Sequence, residues 1–266
     1  MKGITSVPAD KSIVHRSILF AAISSVTTTI KANAIGRDNL ASLRVVMQLG
    51  AEVAVSCPSH WYDMICEEVT CPVTLDNEAK SIVIRITGKK IADLSAKGKV
   101  LYCGNSGTTS RLLLGILAGI PGETTIDGDA SLRKRPFSRV TEPLAQMGAK
   151  FSSDVLPLTV SGGNLHGISY HCPKASAQVK SCLLLAGLST EEGVQVSEPY
   201  LSRNHTEIMF SGLGVDIDSY TNSSGHFVAK LPASGNRQLQ AFEMNVPGDV
   251  SSAAFLMVAA LLEKES

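Results

Sequence analysis

One kind of segment recurs four times along the chain, and it constrains the fold more than any other feature of the sequence. Each copy opens with small polar residues and then becomes apolar on nearly every face of a helix. The copies run from Ser12 into IVHRSILFAAI, from Ser106 into TSRLLLGILAGI, from Ser176 into VKSCLLLAGL and from Ser251 into AAFLMVAALL. Because a helix that is apolar on all sides belongs in a protein interior, these copies predict buried helices.

A second shared block follows each of the first three copies. It reads as a β-rich strand, a polar junction, an amphipathic helix, a terminal glycine and another strand. In the middle block, Phe137, Val140, Leu144 and Met147 fall at helical spacing, and Pro136 suits the first helical position. The unit is therefore predicted to be β-α-β-α-β-β, which makes this an α/β protein.

The ends of the amphipathic helices carry their own signals. In the third block, Asn204 and Glu207 are predicted to form a capping box. The three helices are predicted to stop at Gly50, Gly148 and Gly214.

A fourth unit begins at Val246-Pro247-Gly248-Asp249 and stops at Ser266, before its second helix. Repeats of this kind decide the fold before other features do. We therefore expect the sequence to be a piece of a longer protein, or a chain that needs a second piece.

Composition argues against several classes of function. Lys+Arg and Asp+Glu both number 24, and aromatic residues are 5%, so neither a nucleic-acid surface nor a base-stacking surface is expected. No stretch reaches the roughly 18 apolar residues of a membrane span. The six cysteines favour the cytoplasm. The cluster Cys57, His60, Cys66 and Cys71 matches no zinc spacing and is predicted to lie in a turn and strand ends.

The stretch GNSGTTSRLLLG, residues 104–115, is typical of an anion site at a helix N-terminus, although it lacks the lysine of a P-loop. The polar junctions supply arginines at positions 37, 133, 135 and 203. If the units pack around one axis, helix N-termini and cations form a multi-anion pocket that needs no metal or cofactor. We expect Arg37 and Arg133 to be surface charges, His15 and His205 to be structural, and Lys11 and Arg135 to belong to the site.

Six ordered motifs resemble one family, that of 5-enolpyruvylshikimate-3-phosphate synthase. They are VPADKSIVHR, GNSGTTSRLLLG, GDASLRKRPFSRV, ASAQVKSCLLLAGL, LSRNHTEIM and VPGDVSSAAF. The related UDP-N-acetylglucosamine enolpyruvyl transferases are the alternative, but their opening motif has Asn after the lysine, whereas this chain has Lys11-Ser12 and then Arg16. Their usual catalytic cysteine loop is also not evident near Arg135.

The resemblance implies the enolpyruvyl transferase fold, an inside-out α/β barrel with buried helices and outer sheets. Residues 9–241 would form one complete three-unit domain. Residues 1–8 and 242–266 would belong to a second domain, most of which is absent from this C-terminally truncated chain and would pack against 242–266.

The resemblance also implies a reaction of the shikimate pathway, which leads through chorismate to the aromatic amino acids. The enolpyruvyl group of phosphoenolpyruvate would be transferred to the 5-hydroxyl of shikimate 3-phosphate. The family's acid/base carboxylates, and two arginines for the phosphoenolpyruvate carboxylate, lie in the second domain, so the isolated chain is expected to be inactive. A purely anion-binding half-domain, or a structural repeat that binds no phosphate ligand, would be the non-enzymatic alternatives.

Motif matching implies two sets of site residues. Shikimate 3-phosphate would contact Lys11, Ser12, Arg16, Ser176, Ala177, Gln178, Ser202 and Arg203. Phosphoenolpyruvate would contact Lys11, Asn105, Gly107, Thr108, Arg135 and Gln178. Lys11 would be catalytic by stabilising charge at the reacting centre.

Two positions bear on specificity. Ala177 stands where some family members have a second serine, so a phosphate contact there would be lost or made by a backbone N–H. Family members with alanine at the position of Gly107 tend to resist the inhibitor glyphosate, so Gly107 predicts a glyphosate-sensitive enzyme.

Overall fold

The computed structural model describes residues 5–263, which form eight α-helices and thirteen strands. The first unit comprises α1 (Lys11–Ala22), β1 (Thr27–Ala32), α2 (Arg37–Gln48), β2 (Glu52–Cys57), α3 (Ser59–Glu68), β3 (Val73–Leu75) and β4 (Ile82–Thr87). The second comprises β5 (Leu101–Tyr102), α4 (Gly107–Ala118), β6 (Gly122–Asp127), α5 (Ser138–Gln146), β7 (Lys150–Phe151) and β8 (Leu158–Gly162). The third comprises β9 (Ile168–His171), α6 (Ala177–Gly187), β10 (Val194–Glu198), α7 (His205–Gly212), β11 (Asp218–Thr221) and β12 (Phe227–Leu231). Strand β13 (Glu243–Asn245) and helix α8 (Val250–Leu262) follow.

The predicted β-α-β-α-β-β order is confirmed in the second and third units. Their sheets share one strand order, β5-β6-β8-β7 and β9-β10-β12-β11. In both, the first strand runs parallel to the second and the remaining pairs are antiparallel.

The first unit completes its sheet with a strand from the far end of the chain. The order is β13-β1-β4-β2-β3, and β13 lies parallel to β1 with Met244 opposite Ile30. Strand β13 thus has the position that β5 and β9 have in the other sheets. The division at 241/242 stays a prediction, and β13 pairs with β1 across it.

The first unit also contains a helix that the sequence interpretation missed. The region from Cys57 to Cys71 was expected to be a turn and strand ends, but α3 occupies its centre. The helix is stabilised by Ile65, which is fully buried, while Trp61 and Tyr62 pack against the core. Tertiary packing of one apolar face therefore outweighs the local signals there.

Three of the predicted buried helices are confirmed in the core. Helices α1, α4 and α6 are buried along most of their length, with the three sheets outside them. Helices α4 and α6 approach closely because Gly115 has no side chain: a Cβ there would lie 2.2 Å from the carbonyl oxygen of Cys182. Cys103 and Cys182 are buried thiols, as expected.

The fourth apolar helix, α8, lies on the surface. None of its described residues is buried, and Phe255 and Leu261 are 80% and 85% exposed. The prediction of a buried helix was therefore wrong for this fourth copy, whose apolar side chains are exposed in the structure.

Helix ends confirm part of the prediction and correct part of it. Gly50, Gly148 and Gly214 all have positive φ, as helix-terminating glycines do, and the predicted apolar face of α5 is buried. The prediction for Pro136 was wrong: α5 begins at Ser138 with Phe137 as its N-cap, and the Phe137 N–H donates to the carbonyl of Asp154 at 2.8 Å.

The predicted capping box of α7 was also wrong. Asn204 is the N-cap, but its side chain caps no backbone N–H. The Glu207 carboxylate turns inward instead, where its Oε1 lies 2.8 Å from Nζ of Lys180.

Candidate active site

The N-termini of the three buried helices meet at one cleft of about 440 Å³. Lys11 contributes from α1, Gly107 and Thr108 from α4, and Gln178 from α6. The remaining lining residues are Asp38, Asn105, Arg111 and Arg135. The expected gathering of helix N-termini and cations is thus present in the structure.

A polar side chain caps each of these helices. Asp10 Oδ1 accepts from the N–H of Ile13 at 2.9 Å, and Ser106 Oγ accepts from that of Thr109 at 3.1 Å. Ser176 Oγ accepts from Val179 N–H at 3.4 Å. The caps begin each helix at the cleft, where the remaining first-turn N–H groups and the helix dipole favour an anion.

Two guanidinium groups lie against Gly107. A Cβ on that residue would be 2.8 Å from Nη1 of Arg111 and 3.2 Å from Nη1 of Arg135. Glycine at this position therefore lets both cations approach the backbone at the start of α4.

Arg111 is a buried cation that sequence reasoning missed. Its Nη1 donates to Oε1 of Gln178 at 3.2 Å, and its guanidinium lies over the ring of Phe137 at 5.2 Å. Burial, followed by the nearby Arg139 and Arg135, lowers the pKa of Arg111 to about 10, so it remains charged at neutral pH. The available signal was an arginine four residues after Gly107 in an otherwise apolar helix.

Side-chain amides orient the other polar groups of the cleft. Nη2 of Arg135 donates to Oδ1 of Asn105 at 2.5 Å, and Nε2 of Gln178 donates to Oγ1 of Thr108 at 3.2 Å. These contacts connect the loop before α4 with the junction before α5, and α4 with α6.

Lys11 forms an ion pair with Asp38 at the mouth of the cleft, and this carboxylate was also missed. The Lys11 side chain is 53% exposed and that of Asp38 is 29% exposed. An exposed ion pair contributes little stability, so an incoming anion can compete with Asp38 for the ammonium group.

A second group of predicted residues lies beside the cleft, where α1, α6 and α7 meet. Nη1 of Arg203 donates to Ser12 Oγ at 3.3 Å. Arg16 is buried, and its guanidinium donates to Oγ of Ser181 and Oγ1 of Thr206, both at 2.8 Å. Burial lowers the pKa of Arg16 to about 10. Arg16 thus contacts the protein interior, whereas Arg203 is exposed.

The predicted serines of α6 and of the loop after β10 share one partner. Glu198 Oε1 accepts from the N–H of Ser176 at 2.7 Å and from Oγ of Ser202 at 2.8 Å. Ala177 and Gln178 follow Ser176 as half-buried residues in the first turn of α6.

The structure agrees with the structural roles expected for His15 and His205 and with the surface position expected for Arg37. His15 is buried with Nδ1 2.8 Å from Oγ of Ser42, and burial, followed by the charges of Lys11 and Arg16, lowers its pKa to about 3. Burial also lowers the pKa of the half-buried His205. Arg37 is exposed and pairs with Glu68 at 2.7 Å.

A larger cavity, of about 700 Å³, lies where α1, α4 and α6 end. It contains none of the predicted site residues, and helix C-termini disfavour anions, so the smaller cleft is the better candidate for an anion site. Among residues 5–263, no group of three or more His, Cys, Asp or Glu side chains is arranged to bind a metal. None of the helices in that range is long and apolar enough to cross a bilayer.

Comparison with known proteins identifies the family. The family model described as EPSP synthase (3-phosphoshikimate 1-carboxyvinyltransferase) matches residues 1–59 and 64–266. This chain belongs to the EPSP synthase family. The enolpyruvyl transferase fold implied by the sequence motifs is confirmed by the same match and by the solved structures of this family.

Similar proteins of the EPSP synthase family come from several bacteria. The 3-phosphoshikimate 1-carboxyvinyltransferase of Bacillus pumilus is 40% identical over 263 residues, which cover 97% of this chain and 54% of that protein. The enzyme from Synechococcus is 42% identical over 271 residues, covering 100% of this chain and 55% of that protein. The chain therefore spans about half the length of the curated relatives it matches.

Solved structures of the EPSP synthase family are also similar to this chain. EPSP synthase from Acinetobacter baumannii superposes with a TM-score of 0.78 at 37% identity, covering 97% of this chain and 52% of that one. The roles that EPSP synthase motifs assign to individual residues of this chain remain predictions.

Proposed function

We propose that this chain supplies one wall of an active site that transfers the enolpyruvyl group of phosphoenolpyruvate to the 5-hydroxyl of shikimate 3-phosphate. The observation that carries the proposal is the cleft where three helix N-termini meet Lys11, Arg111 and Arg135. Two phosphates and two carboxylates require such a concentration of positive field. Relatives that carry the name 3-phosphoshikimate 1-carboxyvinyltransferase support this choice of substrates.

The reaction is an addition followed by an elimination. The 5-hydroxyl oxygen forms a bond to C2 of phosphoenolpyruvate, the hydroxyl gives up its proton, and the enol methylene accepts one to become a methyl group. The tetrahedral intermediate then loses inorganic phosphate, and a methyl proton leaves to restore the carbon–carbon double bond. Alignment of the two substrates and preorganised charge supply much of the rate.

Within the cleft, the phosphoenolpyruvate phosphate is assigned to Arg135 and the N–H of Gly107, with Asn105 and Thr108 beside them. The Arg111 guanidinium, which lies against Gly107, adds positive charge near the same phosphate. Lys11 lies between the two substrates and stabilises negative charge that develops at the reacting carbon.

Shikimate 3-phosphate is assigned to the neighbouring group. Its phosphate lies at the start of α6, against Ser176, Ala177 and Gln178, with Ser202 or Arg203 closing on it. Its carboxylate is assigned to Ser12 and Arg16. Because Arg16 already donates to Thr206 and Ser181, it contributes mainly by positive charge unless its guanidinium turns.

Two further parts of the proposal concern the surroundings. The second domain of the family is proposed to cover the apolar surface of α8, and the reaction is placed in the cytoplasm. With acid/base carboxylates contributed by that domain, the isolated chain binds substrates without converting them.

Calorimetric titration of the purified chain tests the assignment of ligands. We expect shikimate 3-phosphate and phosphoenolpyruvate to bind with Kd values on the order of millimolar, since a cleft covered on one side offers part of its contacts. UDP-N-acetylglucosamine should not bind. Arg135→Gln should abolish phosphoenolpyruvate binding.

The neighbouring variant Arg133→Gln is the matched control. Arg133 is an exposed arginine two residues away that pairs with Asp127 at 2.8 Å outside the cleft, so its loss should leave both affinities unchanged. Equal effects of the two variants would contradict the proposed site. Binding of neither substrate would contradict the proposed function.

A further inference from the structure

A buried ionic cluster lies behind the proposed phosphate site. Nζ of Lys180 is 2.7 Å from Oε2 of Glu198 and 2.8 Å from Oε1 of Glu207. The side chains of Lys180 and Glu198 are 0% exposed, and that of Glu207 is 3% exposed. Ions are rarely buried in this way, because desolvation costs more than pairing returns unless the geometry is good.

Glu198 is the best satisfied member of the cluster. Besides Lys180, its carboxylate accepts from the N–H of Ser176 at 2.7 Å and from the hydroxyl of Ser202 at 2.8 Å. Glu207 contacts neither serine. Glu198 therefore connects the first residue of the α6 N-terminus with the loop after β10, 26 residues further along the chain.

The contact with Glu198 occupies the backbone N–H of Ser176, the N-cap of α6. The Ser176 N–H is used by Glu198, and Ser176 Oγ caps Val179. The N–H groups of Ala177 and Gln178 have no acceptor among residues 5–263, as expected for the first turn of a helix. These two donors remain for a ligand.

The charge of Glu198 would by itself repel a phosphate bound at this end of α6. Lys180 lies in direct contact with this carboxylate and also with that of Glu207, so a positive charge stands against Glu198 within the protein interior. The helix N-terminus therefore keeps its positive field toward the cleft while Glu198 accepts hydrogen bonds behind it.

We propose that Glu198, paired with Lys180, is a positioning residue for the phosphate of shikimate 3-phosphate. It sets the relative placement of Ser176 and Ser202, and so of the Ala177 and Gln178 amides, without touching the substrate. This inference rests on the proposed function, because it takes the phosphate to lie at the start of α6.

A pair of matched variants tests it in the full chain. Glu198→Ala and Glu207→Ala each remove one buried carboxylate and leave Lys180 paired with the other. The measurement is the affinity for shikimate 3-phosphate relative to that for shikimate, which lacks the phosphate. We expect Glu198→Ala to reduce this ratio about tenfold, the usual effect of losing hydrogen bonds to a charged group. Glu207→Ala should leave the ratio within about twofold of the wild-type value.

Rescue separates positioning from a general loss of structure. Glu198→Gln retains an acceptor for the Ser176 N–H and should restore part of the ratio. An unchanged ratio in Glu198→Ala, or an equal fall in Glu207→Ala, would overturn the inference while leaving the proposed function intact. A wild-type chain that does not prefer shikimate 3-phosphate over shikimate would instead contradict the proposed function.

Hydrogen exchange in the unaltered chain provides a test that needs no variant. The Ser176 amide should exchange more slowly than those of Ala177 and Gln178, because only the first donates to a buried acceptor. Equal exchange rates at the three amides would overturn the inference even if the variants fail to fold.

Discussion

Nη1 of Arg111 lies 2.8 Å from the position that a Cβ on Gly107 would occupy. Gly107→Ala therefore displaces the Arg111 guanidinium from Gln178 and moves Arg135, whose Nη1 would be 3.2 Å away. We expect phosphoenolpyruvate to bind about tenfold more weakly, because two charged donors lose their placement. The free energy of unfolding should change by no more than about 1 kcal/mol. NMR titration and denaturant unfolding measure the two quantities.

Gly212→Ala is the control for this change. Gly212 is also helical, and nothing lies within 4 Å of its added Cβ. Its substitution should leave phosphoenolpyruvate affinity unaltered. If Gly107→Ala binds the ligand as tightly as Gly212→Ala does, the close approach of the two arginines has no role in binding.

His15 should make the chain sensitive to acid. Burial lowers its pKa from 6.5 to about 3, so between these values the unfolded chain takes up a proton that the folded chain does not. The stability that His15 contributes is complete above pH 6.5 and is lost as the pH falls toward 3, with a slope of up to about 1.4 kcal/mol per pH unit. His15→Asn should flatten the dependence of the unfolding free energy on pH in this range, whereas substitution of the exposed His60 by Asn should not. Identical slopes for wild type and His15→Asn would contradict this.

Glu207 should give the free energy of unfolding a pH dependence opposite to that from His15. Burial raises its pKa above 4.5 despite the nearby Lys180, so the folded chain keeps a proton that the unfolded chain has lost. Its contribution to stability is present below pH 4.5 and is lost as the pH rises through the raised pKa. Glu207→Gln should remove this loss, and Glu142→Gln, at an exposed carboxylate, should have no effect. Chemical denaturation over a range of pH distinguishes the variants; a Glu207→Gln profile parallel to that of the wild type would contradict a raised pKa for Glu207.

The apolar surface of α8 should cause the isolated chain to self-associate. Its side chains include Val250, Phe255, Leu261 and Leu262, each more than 70% exposed, and large exposed apolar patches are typical of association surfaces. Leu261→Glu should lower the sedimentation coefficient seen at high concentration. Leu75→Glu, at an isolated exposed leucine on β3, serves as control. A wild-type chain that sediments as a monomer at all concentrations would rule this out.

The sequence predicts the architecture well wherever a segment carries its own signal. Helices α1, α4 and α6 were predictable because they are apolar on every face, and the glycines after the amphipathic helices mark their ends. Strand β13 was not predictable, because its three residues form a strand only by pairing with β1, more than 200 residues away in the chain. Helix α3 was missed for a similar reason, since burial of Ile65 by distant elements stabilises it.

The candidate site could likewise be predicted only in part. Lys11, Gly107, Arg135 and Gln178 were predicted from motifs, and the structure brings them to one cleft. Arg111 was overlooked because a single arginine interrupts the apolar pattern of a helix without indicating that it faces a cleft. The relation of Glu198 to Ser176 depends on how β10 packs beside α6, which no local pattern encodes.

An NMR titration of the amides of Gly107, Ala177 and Gln178, first with shikimate 3-phosphate and then with phosphoenolpyruvate, tests the central claim most directly. We predict that the first ligand shifts Ala177 and Gln178, that the second shifts Gly107, and that Lys11→Met weakens both effects. Lys11 is half-exposed, so its replacement should not unfold the chain. If neither ligand shifts these amides, or if Lys11→Met binds both as the unaltered chain does, the cleft where the three helices begin is not the substrate site.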